Sequence, residues 1–479
     1  MLDEEVIVKD AKNGSERLLI LNIIFMVLLP AVLFGGNSDL ATGLFIALGI
    51  LAPLNIVNYR RIWIDAPTGT IRLYLLSVLP FIISFAIAIV GIFNNILIPS
   101  EIGSKGFFRL DTESTASIVS ATNSVLSVLT PELVSLSAVA CALSLFFVTD
   151  SRYIIRRIFF FCVLGAAILA LFGFIYNALN MIPKFILPSF GKDAFSTFTD
   201  ASQWSAFAIL WLGGAMTIAA YSAQRYRLLT FLYSLKFISL LSATLLLFSV
   251  LSVGTPIEKV FALLLTSISY AIIGLDTIPT AENLERHWTS KYVHSKYKKL
   301  KLSIAPICYL TIALITLLSA ISLGIESYNN QNEKLITSEG NENRISIVER
   351  TNVLKDAQSL LDSRANFGWG TGSFINVFSF KQGADLGDAP FPSPESDLLQ
   401  KLVENGYVGL ALVIITPLVL FIRYLIKHSF SKSGIILFIT SLLVAILTVF
   451  DNPMQSIAVL QSFWIILIGT FKWEDCEVK

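Results

Sequence analysis

The chain has 479 residues, of which 54% are hydrophobic and 14% charged, with a formal net charge of +1. Its mean hydropathy is +0.71. An average soluble domain is about 45–50% apolar and about 25% charged, so these values exclude a soluble enzyme, a disordered chain and a coiled coil, and they show no basic domain for nucleic acid.

The stretch Met1 to Glu16 is polar and mixed in charge. The apolar run after it is long enough to span a bilayer, so it reads as an uncleaved anchor. Apolar runs lie near 17–35, 40–57, 71–93, 131–148, 153–176, 202–221, 228–252, 257–274, 303–325, 406–424, 433–450 and 454–471. Runs of about 20 residues are too long for barrel strands and fit spanning helices. The expected fold is all-α: a polytopic membrane protein of about twelve transmembrane helices, with a large outer loop holding short helices between helices 9 and 10. It divides into a nine-helix bundle over 1–325, the loop over 326–405, and a three-helix bundle with a polar tail over 406–479.

Orientation follows the excess of Lys and Arg on the cytoplasmic side. With both termini in the cytoplasm, that side holds 22 of the 35 basic residues and the outer side 12, seven of them in the large loop. Lys236 falls within a span, where it is either functional or reaches to the cytoplasmic end. All three histidines (His287, His294 and His428) map to the cytoplasmic side. The four cysteines have no CxxC spacing, which supports neither a zinc site nor a disulfide framework.

Two helices are expected inside the large loop. The first covers about Ile345 to Leu361, with Ile347, Val353, Leu354, Ala357, Leu360 and Leu361 on one stripe at about 100° per residue. Arg350 falls in that stripe, where a guanidinium needs a partner. Arg344 falls outside it. The second helix starts at Ser393-Pro394, a capping signal, and ends at Asn405-Gly406. Its stripe is Leu398, Leu399, Leu402 and Val403. Glu395 lies on that stripe, aimed at the bundle, and Asp397 lies nearly opposite, towards water. Between the helices, Gly368-Trp369-Gly370-Thr371-Gly372-Ser373-Phe374 spaces three glycines that permit positive φ and close backbone approach. The loop is not a nucleotide motif, since no strand precedes it and no Lys-Ser/Thr follows.

These residues resemble a family. Arg350, Ala357, the Gly-x-Gly-x-Gly-Ser-Phe stretch, Glu395-Ser396-Asp397-Leu398-Leu399-Gln400, and Glu404-Asn405-Gly406-x-x-Gly409 before a span look like the carboxy-proximal signature of the O-antigen ligase and O-antigen polymerase superfamily. The match is dense over about 345–410. It continues into Phe450-Asp451-Asn452-Pro453 and Phe463-Trp464, and Ser196-Thr197-Phe198 followed by Ala206 resembles an earlier Gly-Thr-Phe…Ala stretch. Many ligases carry His where this chain has Glu395, whereas members with Glu-Ser-Asp in this position exist among the polymerase-like relatives. Relatives often have Ser-Arg where this chain reads Ser252-Val253-Gly254-Thr255, which leaves Lys259 or Arg364 as substitutes for a second diphosphate-binding cation.

The resemblance implies a bacterial inner-membrane glycosyltransferase with cytoplasmic termini and a periplasmic catalytic loop. It would polymerise or ligate glycan carried on undecaprenyl diphosphate, for surface polysaccharide or lipopolysaccharide biosynthesis. Its implied partners are the lipid-linked glycan, an acceptor glycan or lipid A core, the bilayer, and a chain-length regulator and flippase of a polysaccharide assembly complex. No cofactor, metal or nucleic acid is implied. Glu395 and Asp397 are the candidate catalytic carboxylates, since a carboxylate can take a proton from the acceptor hydroxyl. Arg350, Arg364 and Arg109 are the candidate diphosphate ligands, since Arg offers a fixed fork of donors. Gly368, Gly370, Gly372 and Ser373 form the candidate substrate loop. Plainer roles stand beside these: Arg350 paired with Glu349 or Asp397, Glu395 stabilising a helix dipole, Arg109 and Lys184 as solvated loop charges. A transporter or flippase for a glycan or small anion is the alternative; it expects polar residues at mid-membrane in broken helices and repeat symmetry. A structural partner without chemistry is the third reading.

Overall fold

The computed structural model describes residues 2–36, 38–58, 68–99, 108–110, 117–122, 124–148, 152–178, 194–221, 234–277, 304–334, 347–383, 391, 393–427 and 431–476. The regular structure among them is helical, save one short antiparallel pair, β1 (Leu97–Pro99) with β2 (Phe108–Leu110). The helices are α1 (Leu2–Val32), α2 (Asp39–Asn58), α3 (Thr68–Phe93), α4 (Val125–Leu143), α5 (Arg152–Ala178), α6 (Ala201–Tyr221), α7 (Leu235–Val253), α8 (Pro256–Thr277), α9 (Ile304–Lys334), α10 (Ile347–Ser363), α11 (Phe374–Phe378), α12 (Asp397–Lys427), α13 (Lys432–Phe450) and α14 (Ile457–Asp475). Each of the twelve apolar runs falls on one long helix. Among the described residues, ten helices are long and apolar enough to cross a membrane, and the apolar parts of α1 and α2, Arg17–Val32 and Asp39–Ala52, are shorter. The chain is a multi-pass helical membrane protein.

The centre of the bundle is α6 and α14. Every residue of α6 from Ser202 to Ala219 is buried, many of them small. Small residues let helices approach closely where no hydrophobic drive separates protein from lipid. The large side chains on α6 place their polar atoms against neighbours: Trp204 Nε1 donates to Ser249 Oγ of α7 at 3.1 Å, and Trp211 Nε1 to Ser462 Oγ of α14 at 3.0 Å. A buried indole N–H needs such a partner. At the periphery, α9 leans on α8 through Ser267 Oγ, which donates to the Ala313 carbonyl, and a stacked Tyr270–Tyr309 pair. Its Ile307, Leu314, Ile315, Leu318 and Ile321 are exposed, as a lipid-facing surface would be.

Lys236 lies within the span Leu235–Val253, at its very start. Ser234 caps α7, its hydroxyl accepting the Phe237 N–H, so Lys236 is the second residue of the helix. It is buried there, its ammonium 5.4 Å from the Tyr309 ring centroid. The capping serine starts the helix later than the apolar run near 228 suggests.

A second, smaller core lies outside the bundle. Val353, Ala357, Leu360 and Leu361 of α10 pack with Trp369, Phe374, Val377, Phe378, Val403, and Ile96, Val119 and Ala121 from the segment after α3. Of the stripe expected for α10, Val353, Ala357, Leu360 and Leu361 pack, Leu354 is half-buried at the margin, and the side chain of Ile347 lies outside the described residues.

This core is joined to the bundle by an exchange of backbone hydrogen bonds. Gly406 has φ 64° and ψ −169°, which interrupts α12. In an unbroken helix the N–H of 407 and 408 would reach the carbonyls of 403 and 404. Here those carbonyls accept the N–H of Trp369 and Gly370, at 3.0 and 2.7 Å, while Tyr407 and Val408 donate to the carbonyls of Ala365 and Asn366, at 2.9 and 3.0 Å. The segment 365–370 is thus spliced into the break, and the two N–H groups and two carbonyls that the break separates each gain a new partner. The splice needs glycine. A Cβ on Gly406 would meet the Asn366 carbonyl oxygen at 2.3 Å, and one on Gly368 the Glu404 oxygen at 2.4 Å.

Candidate functional site

The ends of α3, α7 and α13 and the starts of α4, α6, α8, α12 and α14 meet at one end of the bundle, with the second core above them. Two buried polar nodes form there, and the first two turns of α12 reach both.

The helix start decides which residues face which node. α12 begins at Asp397, not at Ser393-Pro394. Ser396 is the cap: its Oγ accepts the Leu399 N–H at 3.3 Å and its carbonyl the Gln400 N–H at 2.9 Å. Glu395 has φ +58°, which breaks the chain before the helix, and Ser393 Oγ accepts from Asn452 Nδ2 instead of capping. The facing expected from the earlier start is corrected accordingly. Asp397 points into the bundle, its Oδ2 accepting the Met454 N–H at 2.6 Å and its own N–H donating to the Asp451 carbonyl at 3.1 Å. Among the described residues no other donor reaches this carboxyl. Glu395 is half-buried beside it.

The first node joins Glu258 and Asp451 through Ser202, with Asp397 beside Asp451. Ser202 Oγ lies 2.6 Å from Glu258 Oε1 and 2.7 Å from Asp451 Oδ2. A hydroxyl has one hydrogen, so serine donates in one contact only, and the other closes when the carboxyl itself carries a hydrogen. The remaining oxygens take backbone donors: Glu258 Oε2 accepts Thr255 N–H at 2.6 Å and Asp451 Oδ1 accepts Asn452 N–H at 2.8 Å.

The second node is centred on Glu132 of α4, which is 2% exposed. Its Oε2 accepts from Ser84 Oγ at 2.8 Å. Its Oε1 accepts from Thr371 Oγ1 at 2.8 Å, Lys401 Nζ at 3.3 Å and Asn405 Nδ2 at 3.4 Å. One carboxylate thus ties α3, the glycine loop and α12 together. Next to it, buried Glu404 accepts the N–H groups of Gly372 and Phe374 and the Gln400 amide.

The glycine loop is shaped by packing. Gly368, Gly370 and Gly372 all have positive φ. A Cβ on Gly370 would meet Ser120 Cα and the Val119 oxygen at 2.8 Å, and one on Gly372 the Ser127 oxygen at 2.4 Å, so all three glycines are pressed against the chain itself. Ser373 is fully buried, and among the described residues its Oγ has no hydrogen-bond partner. Arg364 stacks on Trp369, 5.2 Å from the ring centroid, and its half-buried setting lowers the pKa of its guanidinium by desolvation. Arg350 lies on α10 and Arg109 on β2, but their side chains lie outside the described residues, as do Arg344, Lys184, His287, His294 and His428.

Ser196 has φ +56°, in the region glycine prefers. Its Oγ donates to the Leu169 carbonyl at 2.7 Å, Thr197 Oγ1 donates to the Ala31 carbonyl, and Phe198 is fully buried. This stretch pins the segment before α6 to the bundle, which sets the place of Ser202.

Sequence reasoning missed Glu132, Glu258, Ser202, Thr371 as a ligand of Glu132, and Lys401. Glu258 and Glu132 carried a signal only as lone acids at the margin of apolar runs. No model of a known protein family matches the chain, and no curated protein matches it.

Proposed function

We propose that the chain is a bacterial inner-membrane glycosyltransferase that polymerises or ligates glycan carried on undecaprenyl diphosphate at the periplasmic face. Under this reading it has twelve spans with both termini in the cytoplasm, and the end that bears the two nodes faces the periplasm. The observation that carries it is a convergence. Two stretches that resemble the O-antigen ligase and polymerase superfamily separately, the dense one over about 345–410 and the one at 450–453, meet through two hydrogen bonds, Asp397 N–H to the Asp451 carbonyl and Asn452 to Ser393, and Met454, the residue after the second stretch, donates its N–H to Asp397. Glu395 and Ser196, the two non-glycine residues with positive φ among the described residues, also lie in resembling stretches. Strained backbone held by its surroundings clusters at functional sites.

In the proposed reaction the acceptor hydroxyl oxygen attacks the anomeric carbon. The bond from that carbon to the diphosphate oxygen breaks, and its electron pair leaves with the lipid diphosphate. Asp397 takes the hydroxyl proton, with one oxygen fixed by Met454 and the other open to the acceptor. Glu395 orients the acceptor beside it, and Arg350 meets the diphosphate. The activated lipid supplies the driving force, so no nucleotide is needed. The break in α12 lies at its ninth-to-tenth residue, at the end of the bundle rather than at mid-span, so it does not favour the transporter reading.

The test is the length profile of lipid-linked and surface glycan in a deletion strain, complemented at matched membrane levels. Wild type is expected to restore the profile, and Asp397→Asn and Arg350→Ala to leave lipid-linked single units or unligated polymer. Single units mark a polymerase and polymer marks a ligase. Full rescue by both variants overturns the reading.

A further inference from the structure

Lys401 stands one turn after Asp397 on α12 and turns to Glu132 rather than to Asp397, at 3.3 Å. The pair is lopsided: the Glu132 side chain is 2% exposed and that of Lys401 28%. The carboxylate inside is saturated by Ser84, Thr371, Asn405 and Lys401. The ammonium outside has three donors, of which Glu132 takes one. Glu404, the other acid near it, is occupied by the N–H groups of Gly372 and Phe374 and by Gln400. As a stabilising device a buried ion pair is weak, because an apolar pair of the same volume serves as well. A buried carboxylate that fixes a part-exposed ammonium from behind does what an apolar pair cannot. It sets a cation in place before any anion arrives.

We propose that Lys401 binds the diphosphate of the lipid-linked donor and that Glu132 is its positioning residue. The identity of the ligand rests on the glycosyltransferase reading; the prepared cation does not. An ammonium is a compact point charge for phosphate oxygens, and a side chain ordered in advance spares the entropy of ordering it at binding. Lys401 is then a cation at the site additional to the arginines that the sequence points to, and it comes from the same helix turns as Asp397.

The test uses the full chain in nanodiscs with two probes, undecaprenyl diphosphate and inorganic diphosphate, and reads binding by calorimetry. Lys401→Met is expected to weaken lipid binding at least about tenfold, or about 1.4 kcal/mol, while Lys401→Arg keeps it within about threefold because the charge remains. Since Lys401→Met strands Glu132, Glu132→Gln/Lys401→Met is measured beside it. That double variant is expected to melt near wild type and still bind weakly. Glu132→Gln alone, which leaves the ammonium charged but unfixed, is expected to weaken binding about threefold. A matching loss with inorganic diphosphate assigns the contact to the phosphates alone; a loss with the lipid only supports it in the lipid's own setting. Unchanged lipid binding in Lys401→Met and in the double variant overturns the proposal, as does a wild type that binds neither probe. If binding depends on Lys401 while the deletion strain makes normal glycan, the cation site stands and the glycosyltransferase reading falls.

Discussion

The Glu132 node and the Asp397 node lie at the same end of the bundle and share α12, yet they are built on opposite terms. At Glu132 one buried carboxylate meets a cation and three neutral donors, and every oxygen is occupied. In the other node two carboxyl groups, of Asp451 and Glu258, share one hydroxyl, Asp397 sits beside Asp451, and among the described residues no cation pairs with the three. A satisfied polar network rigidifies, whereas a partly satisfied one stores unfavourable energy that a substrate can relieve. The Glu132 node thus reads as the clamp that sets the glycine loop and α12, and the Asp397 node, under the proposed reaction, as the place where protons move.

The comparison breaks most sharply at the splice. Gly406→Ala puts a Cβ against the Asn366 carbonyl at positive φ. It is expected to cost more than about 3 kcal/mol, read as loss of monodisperse protein on extraction, because it detaches the loop from both nodes. Next comes Glu132→Ala, which removes one partner of a buried ion pair and leaves Ser84, Thr371 and Asn405 without their acceptor. A loss of about 3–5 kcal/mol is expected, and adding Lys401→Met should recover more than half of the fall in melting temperature. If Lys401→Met recovers nothing, charge balance is not what the node supplies. Trp369→Phe removes the 3.0 Å bond from Nε1 to the Leu360 carbonyl and should cost about 1–2 kcal/mol, without changing the Asp397 node or the glycan profile. Ser396→Ala removes the cap of α12 and should cost about 1 kcal/mol, with an added loss of activity because Asp397 is the next residue. Smallest, and opposite in sign, is Glu395→Gly. It relieves a positive φ and should gain about 1 kcal/mol of stability. If Glu395 orients the acceptor, the more stable protein is the less active one.

The helices were legible because burial in lipid demands long apolar runs, and each of those runs falls on a helix. The α10 stripe was legible for a similar reason, its 3.6-residue period. The facing of Glu395 and Asp397 was not. Ser393-Pro394 and Ser396 both offer a helix start, and the choice is made by Asn452, which takes the Ser393 hydroxyl from 59 residues away. Glu132 finds Thr371 at a separation of 239 residues, and Ser202 finds Asp451 at 249. No local window contains such pairs. The glycines were visible as a motif, but their use as a splice for α12 depends on carbonyls that only the fold brings near. Lys236 was legible as part of a span, but its place at the start of α7 was not, because hydropathy does not register a capping serine.

The most direct measurement is release of free undecaprenyl diphosphate by the purified protein in nanodiscs, given lipid-linked glycan and an acceptor glycan. A glycosyltransferase with Asp397 as its base releases it as the product glycan grows. Asp397→Asn, folded and still binding lipid, releases it at least about a hundredfold more slowly. No release by wild type, or equal release by Asp397→Asn, would contradict that role.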